Sequence, residues 1–239
     1  MTFEIDFDAV TVDFIAPMNA PPKSAPPKGR VALRQERNRE SLIRAGTRVM
    51  SEKGIDSATM QEIAEIADVG AGTVYSYFKS KDELAVAVME RVMHDLALRI
   101  EKVTDTFADP AQVYAFGVRT VIEAAIGDVR WRQLLNRPEV IADAMFRVMG
   151  PFAMRDLRNA TTAGRFKIAD VELTWKMATF AIFGVCLAVS QGQLPTSVIE
   201  ETVVRMLCMT GIGAAEAADL AARPRPALAP EAKAFQREA

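Results

Sequence analysis

The 239-residue chain has little of the chemistry on which most enzymes and metal proteins depend. It contains one histidine, His94, and two cysteines, Cys186 and Cys208, with no Cys-x-x-Cys pair. A histidine-rich zinc site is therefore excluded, and a His-based catalytic triad would depend on His94 alone. Both cysteines lie in apolar stretches, which predicts reduced core residues of a cytosolic protein and not a disulfide framework.

Motifs that bind nucleotides or activate a serine are also missing. The sequence has no Gly-x-Ser-x-Gly and no phosphate-binding loop. Gly211-x-Gly213 follows a predicted helix, whereas a dinucleotide-binding motif follows a strand. We therefore expect no catalytic residues, no metal and no cofactor.

The chain also lacks the positive net charge of many nucleic-acid-binding proteins. It has 29 Lys and Arg against 31 Asp and Glu, for a formal net charge of −2. Any DNA-binding surface must therefore be local. Residues 28–53 carry eight cations and three acids. This run is either a solvated helix face or an N-terminal extension that follows the DNA backbone or the minor groove.

No segment is predicted to cross a membrane. The first residues are acidic where a secretory signal would be basic and then apolar. The most apolar run, residues 177–189, would make a helix of roughly 20 Å, against a hydrocarbon core of about 30 Å. We interpret this run as a buried helix, and the chain as a cytoplasmic protein without membrane contact.

The two ends of the chain differ in composition from its middle. Residues 1–30 contain five prolines without a helical period, which predicts a flexible arm, with a short strand at residues 3–7 as the alternative. Residues 223–239 contain three prolines and are predicted to form a loose tail. Between Arg37 and Arg223, apolar residues recur every three or four positions and nothing alternates like a strand. The fold class is therefore predicted to be all-α.

Helix-capping signals mark the boundaries of short helices near residue 70. Thr59-x-x-Glu62 and Ser80-x-x-Glu83 are capping boxes, and Gly54 is placed to end the helix before them. Later helices are predicted at about 81–103, 110–126, 128–136, 138–162 with a break at Gly150-Pro151, 170–191, 195–210 and 214–222.

Residues 59–78 have the pattern of a DNA-reading unit. Two short helices joined by a glycine-containing turn and packed on a third are the geometry of a helix-turn-helix, although a plain αα-hairpin has the same periodicity. From Val69 to Lys81 there are two cations and no acid. The small residues at positions 70–72 also let backbone N–H groups approach a phosphate or a base edge closely.

These residues resemble the DNA-binding domain of the tetracycline-repressor-like (TetR) transcriptional regulators. The matching text is Leu42-Ile43-x-Ala45-Gly46-x-x-Val49-Met50, Gly54, Thr59, Ile63-Ala64-x-x-Ala67-x-Val69 and Gly72-Thr73-Val74-Tyr75-x-Tyr77-Phe78-x-Ser80-Lys81-x-Glu83-Leu84. The resemblance implies an N-terminal three-helix helix-turn-helix domain followed by a helical bundle for ligand binding and dimerisation.

The resemblance further implies which residues face DNA. Residues 71–78 would be the recognition helix in the major groove, with Tyr75 and Tyr77 on phosphates. The implied DNA-binding residues are Thr59, Gly70, Ala71, Gly72, Thr73, Tyr75, Ser76, Tyr77 and Lys81. Because Gly70, Ala71 and Ser76 replace longer or capping residues common in the family, we expect readout to depend partly on thymine methyl groups and DNA shape.

The helices after Asp109 are implied to hold an effector. Their aromatic and Met residues are mostly core, but some are expected to line a cavity for a small, largely hydrophobic molecule. The candidate pocket residues are Trp131, Phe146, Met149, Phe152, Trp175 and Phe180. The cluster Arg130, Arg132 and Arg137 is either a surface face or a place for an anionic group.

The last two long helices, at about 170–191 and 195–210, are implied to form a homodimer interface. Residues 181, 184, 185, 188 and 189 make a stripe of small side chains suited to close packing, with an intramolecular core as the alternative.

Together these patterns predict four segments: an arm at 1–35, a helix-turn-helix domain at 36–96 (with the motif at 59–78), an effector-binding and dimerisation domain at 97–222, and a tail at 223–239. The predicted function is a ligand-responsive regulator, a repressor that binds a palindromic operator as a dimer and is released by its effector. The alternative is a non-specific chromosome-organising DNA-binding protein, which leaves the large apolar C-terminal domain unexplained.

Overall fold

A computed structural model describes residues 29–135 and 138–230 of the protein, with the backbone alone for 138–140. Over these ranges the chain is all-α, as predicted, and forms no strand. The eleven helices are α1 (Arg30–Ser57), α2 (Met60–Ile66), α3 (Ala71–Tyr77), α4 (Lys81–Thr104), α5 (Pro110–Gly127), α6 (Val129–Leu134), α7 (Pro138–Val148), α8 (Gly150–Thr162), α9 (Val171–Ser190), α10 (Val198–Met209) and α11 (Ala214–Ala222).

Local signals in the sequence explain where the first helices begin and end. Gly54 has a φ of +84°, so it interrupts α1 as predicted, in a conformation that a side chain would disfavour. The hydroxyl of Thr59 accepts from the backbone N–H of Glu62 at 3.2 Å, and that of Ser80 accepts from Glu83 at 3.1 Å. Both predicted N-caps are therefore confirmed.

The first helix extends further towards the N-terminus than expected. Residues 30–35, assigned from composition to a flexible arm, are the first turns of α1. They come after the last proline of the arm and consist largely of good helix formers, so nothing in them stops the helix. The first 28 residues, including the alternative strand at 3–7, lie outside the described residues.

α4 joins the two halves of the molecule. Near its start, Leu84 and Val88 are fully buried against Gly46 of α1. Near its end, Ala97 and Ile100 line a cavity of the C-terminal helices. The domain boundary predicted at 96/97 therefore falls inside one continuous helix, and both halves share its core.

The helix predicted at 138–162 is divided into α7 and α8. The break falls at Met149 and Gly150, beside Pro151, where a kink was expected. This break brings Gly150 against the indole of Trp175 in α9.

The beginning of the predicted loose tail is packed, contrary to expectation. Arg223 donates to Gln112 at 3.1 Å, and Arg225 pairs with Glu123 of α5 at 2.5 Å. Leu228 packs against the core, and Arg99 donates to the carbonyl of Ala229 at 2.7 Å. Prolines prevent a helix here, but they do not prevent the extended chain from lying across α4 and α5. Residues 231–239 lie outside the described part of the chain.

Candidate DNA interface and effector cavity

A buried apolar seam fixes how α2 and α3 pack. Ile63, Val74 and Phe78, which are at most 1% exposed, form this seam. The turn between the helices begins at Asp68, which has a φ of +55°, and Val69 donates to the carbonyl of Ala64 at 3.1 Å. This turn sets the two helices at an angle and leaves one side of α3 facing solvent.

The outward side of α3 carries small side chains, except for one aromatic ring. Tyr75 is 57% exposed, and a Cβ added at Gly72 would meet nothing within 4 Å. The hydroxyl of Ser76 donates to the carbonyl of Thr73 at 2.6 Å. Tyr77 is half-buried and packs against the core. Tyr75 is therefore the most accessible large side chain of the predicted DNA-binding set.

The remaining predicted DNA-binding residues surround this face. Thr59, Gly70 and Ala71 are exposed at the starts of α2 and α3. Lys81 donates from Nζ to the carbonyl of Asp56 at 2.7 Å, which ties the start of α4 to the last turn of α1. An ammonium has three N–H donors, so two are left for a phosphate oxygen.

α1 contacts this unit through Arg39 and Ser41, about ten residues after the helix begins. The guanidinium of Arg39 lies 5.3 Å from the ring centroid of Phe78, and the hydroxyl of Ser41 donates to the carbonyl of Ala67 at 3.3 Å. Arg30, Arg34 and Arg37 are exposed in the preceding turns. Their spacing of four and three residues places them on one side of the helix.

An apolar cavity of about 60 Å³ lies inside the C-terminal helices. One water needs about 10–15 Å³ by this measure, so the cavity has room for several heavy atoms, as in one small ring. Its lining residues are Ala97, Ile100, Glu101, Thr104, Val113, Tyr114, Gly117, Val118, Val121, Met145, Met149, Phe152, Ala153, Arg155, Asp156, Trp175 and Ile182.

Half of the residues predicted for this pocket line it. Met149, Phe152 and Trp175 do, whereas Trp131, Phe146 and Phe180 lie elsewhere. Trp131 is fully buried next to α4 and α5, in a groove that also contains Leu228. The ring of Phe146 packs edge-on against Phe180, whose side is turned to solvent. Helical periodicity identified all six as inward or aromatic, but not which neighbouring helix each one faces.

The cavity has one polar end, which sequence analysis missed. There Arg155 pairs with Glu101 and, at 3.0 Å, with Asp156. Burial raises the pKa of Asp156, and the nearby Glu101 adds to this effect while Arg155 opposes it. Glu101 and Arg155 are 54 positions apart, so no local pattern could have paired them.

The polar end opens into a second, outer pocket of about 300 Å³. The two pockets share Glu101, Thr104, Val113, Arg155 and Asp156. The ion cluster therefore lies on the border between the apolar cavity and a polar, more open space.

At the apolar end, Trp175 has an unsatisfied donor. The residue is 5% exposed, and its Nε1 has no hydrogen-bond partner among the described residues. Leaving a buried donor unpaired costs about 1–3 kcal/mol.

Two of the three arginines of the predicted cluster are described. Arg130 is buried and binds Asp128 through both Nε and a terminal nitrogen. Arg132 is exposed, and Arg137 lies outside the described residues.

Comparisons with known proteins agree with both halves of the chain. The model described as "Bacterial regulatory proteins, tetR family" matches residues 42–88, and the one described as "Tetracyclin repressor-like, C-terminal domain" matches residues 109–223. The crystal structure of RolR in complex with resorcinol is 30% identical and has a TM-score of 0.73, with 83% of this chain and all of that chain covered.

The chain belongs to the TetR family. RolR without ligand is 32% identical, with a TM-score of 0.70 over 80% of this chain and all of that one. The repressor KstR of Mycolicibacterium smegmatis is 28% identical over 46% of this chain and 54% of its own length. An uncharacterised regulator of Haemophilus influenzae is 38% identical over 26% of this chain and 34% of its own. The chain thus spans about a third to a half of these curated relatives.

Within this TetR-family chain, one face of α9 is apolar and unburied. Leu173, Met177 and Phe180 are each more than half exposed, and Gly184 continues the same side of the helix. By length and composition alone, α9 could cross a membrane. Only 33% of its most apolar stretch is buried inside the described structure, so the rest faces outward. The expectation that residues 177–189 form a buried helix is therefore wrong for this side.

The side chain of Gln133 connects the C-terminal helices to the last residues of α1. The amide oxygen of Gln133 in α6 accepts from the backbone N–H of Ile55 and, at 3.4 Å, from that of Asp56. A side chain at Gly54 would clash with this amide. Because the carbonyl of Asp56 in turn accepts from Lys81, the contact leads directly to the DNA-facing unit.

Proposed function

We propose that the protein is a homodimeric transcriptional repressor that binds an operator through α3 and is released by a small molecule bound among its C-terminal helices. The observation that carries this proposal is the likeness to RolR over that protein's whole length, together with an internal apolar cavity in the same chain. A non-specific chromosome-organising role is not favoured, because it gives the cavity no purpose.

Tyr75 is proposed to make the main DNA contact of each protomer. Its exposed ring and hydroxyl stand at the middle of the outward side of α3, where Gly72 and Ser76 leave room for a base edge or a backbone. Thr59, Gly70, Ala71, Thr73, Tyr77 and Lys81 are proposed to complete the interface. With few long side chains here, specificity depends on shape as well as on hydrogen bonds.

The first turns of α1 are proposed to lengthen this interface. Arg30, Arg34 and Arg37 lie on one side of a helix that contacts the α2–α3 unit through Arg39. Such a row of cations contributes affinity through counterion release, without regard to sequence.

The effector is proposed to be a compact and mostly apolar molecule of about one ring. The volume of the cavity and its lining of Met, Phe, Val and Ile side chains favour such a ligand. RolR, a similar protein whose structure was solved with a ligand, holds resorcinol, a single ring with two hydroxyl groups.

The apolar side of α9 is proposed to be the dimer interface together with α10. Exposed Leu173, Met177 and Phe180 next to the small Gly184 would be costly in water, and a two-fold mate would cover them. A dimer partner would cover the exposed apolar side of α9, so no membrane is needed to account for it. We propose that the protein is cytoplasmic and has no enzymatic activity.

Selection of sheared genomic DNA on the purified full chain, followed by sequencing, tests the proposal. We expect a recurrent inverted repeat, because a two-fold dimer presents two copies of α3. Broad binding without a repeat would favour the chromosome-organising alternative. Arg158→Ala, at an exposed position of α8 in the other half of the chain, is the control and should recover the same repeat.

A further inference from the structure

The polar end of the cavity contains a carboxylate oxygen that the protein leaves unpaired. Nε and a terminal nitrogen of Arg155 both donate to Oδ1 of Asp156, at 3.1 and 3.0 Å. Oδ2 of the same carboxylate has no hydrogen-bond partner among the described residues, and it is not one of the unpaired side-chain atoms that are closed to solvent. The side chain of Asp156 is 19% exposed and borders both the apolar cavity and the outer pocket, so a small molecule can reach it.

A second polar group without a partner lies deeper in the same cavity. Tyr114 of α5 lines the cavity and is 5% exposed. Its hydroxyl makes no hydrogen bond with the described residues, and it is likewise not one of the unpaired atoms that are closed to solvent. Burial raises the pKa of this phenol, so the hydroxyl stays protonated and can both donate and accept. Because buried polar groups are normally paired, this hydroxyl is a place where a ligand oxygen can bind.

The charges around the polar end limit the charge of the ligand. Among the described residues that line the two pockets, Arg155 is the one cation, and the acids are Glu101, Asp105 and Asp156. Arg155 is already paired with Glu101 and Asp156. An anionic ligand would therefore be repelled, whereas a hydroxyl group can donate to a carboxylate that burial has deprived of part of its water.

We infer that the cavity selects a ring compound that carries a hydroxyl group and no negative charge, that this hydroxyl donates to Oδ2 of Asp156, and that the hydroxyl of Tyr114 pairs with an oxygen of the same ligand. The inference rests on the proposed function and adds a ligand class and a hydroxyl-binding site to it. Phenols and cyclic alcohols fit the class. Hydrocarbons of the same shape leave both polar groups unpaired, and a site built around such groups discriminates against them.

The direct test is a calorimetric titration of the full chain with phenol, resorcinol, toluene and benzoate. Asp156→Asn keeps the shape of the side chain but removes its charge. Since hydrogen bonds to a charged acceptor are the stronger ones, we expect it to weaken phenol and resorcinol by about fivefold and to change toluene by less than about threefold. Benzoate should bind wild type at least about tenfold more weakly than phenol, and the same variant should strengthen it.

Asp143→Asn is the matched control for the lost carboxylate. Asp143 is exposed on α7 and is also paired with an arginine, Arg147, but it lies outside both pockets. This variant should bind all four compounds as wild type does. Opposite changes for phenol and benzoate in Asp156→Asn alone would therefore separate recognition of the hydroxyl from a general loss of packing.

Tyr114→Phe tests the deeper polar group with a second readout. We expect it to weaken phenol and resorcinol by about threefold or more without affecting toluene. The melting temperature of the ligand-free protein should not fall, because the substitution breaks no hydrogen bond with the described residues. A lower melting temperature with unchanged phenol affinity would mean that the hydroxyl supports the fold and not the ligand.

The outcomes separate this inference from the proposed function. If Asp156→Asn weakens all compounds equally or none of them, the hydroxyl-binding site is wrong and ring binding stands. If benzoate binds wild type as tightly as phenol does, the selection by charge is wrong. If wild type binds none of the four, the ligand class and the site are both wrong, but an operator repeat in the DNA selection would still support the regulator.

Discussion

The DNA-facing unit and the C-terminal helices place their functional residues at different depths. In the first, Tyr75 is 57% exposed on a helix whose other side is sealed by Val74 and Phe78. In the second, Trp175 is 5% exposed and lies in the same core that holds α5, α8 and α9 together. A substitution at an exposed DNA-facing residue can therefore change binding without changing stability. A substitution at a cavity residue changes the packing of the core as well.

The largest effect should come from charging the proposed dimer interface. Met177→Glu places a carboxylate on the apolar side of α9, at a residue that is 52% exposed in the single chain. We expect a monomer by sedimentation and a loss of operator affinity of about 100-fold or more, because one α3 reads only half of the site. Leu98→Glu, on an exposed position of α4, is the control and should remain a dimer. A dimeric Met177→Glu protein would refute this interface.

Tyr75→Ala tests whether the surface half is separable from the fold. We expect operator affinity to fall by about tenfold, while the melting temperature and the dimer stay unchanged, because the side chain is mostly in solvent. Fluorescence anisotropy on the selected duplex measures operator affinity, thermal unfolding gives the melting temperature, and sedimentation reports the dimer. Unchanged DNA affinity would show that the reading side of α3 is wrongly placed.

Gln133→Ala removes the contact between the two halves. We expect ring binding and operator binding each to change by less than about threefold, while the effect of the ligand on DNA affinity decreases by about fivefold, a coupling energy of about 1 kcal/mol. Gln193→Ala, an exposed amide after α9, serves as the control. Full coupling without Gln133 would mean that the signal travels through other contacts between the halves, such as α4 or the remaining packing of α6 on α1.

The smallest effect is expected from the added turns of α1. Arg34→Ala should weaken operator binding by a few-fold and reduce the slope of log affinity against log salt by about 1. An affinity titration at four salt concentrations measures the slope, and Arg158→Ala, at an exposed position of α8, is the control. An identical slope would limit the interface to α2, α3 and the start of α4.

The two halves also differ in how much their sequence reveals. The caps at Thr59 and Ser80 and the stop at Gly54 are local, because each depends on the residue itself and on a neighbour within a few positions. The cavity depends on helices far apart in sequence, such as Glu101 of α4 with Arg155 of α8. Periodicity placed Trp131 and Phe180 on buried or apolar sides but could not say that one faces α4 and the other solvent.

Predictions from composition were wrong at both ends of the chain, for a related reason. Prolines near residue 27 suggested an arm that continued to residue 35, yet α1 begins at Arg30. Prolines after 223 suggested a loose tail, yet Arg223 and Arg225 fix its first residues to α5 through ion pairs and hydrogen bonds. Local composition reports helix propensity, whereas these contacts depend on charges more than 100 positions away.

If the protein couples its two halves, a ligand bound among the C-terminal helices must lower its affinity for the operator. Fluorescence anisotropy of the full chain on the selected duplex is recorded with and without saturating resorcinol. We expect resorcinol to raise the dissociation constant for the duplex by at least about tenfold. An unchanged dissociation constant, with resorcinol binding demonstrated by calorimetry on the same sample, would contradict it.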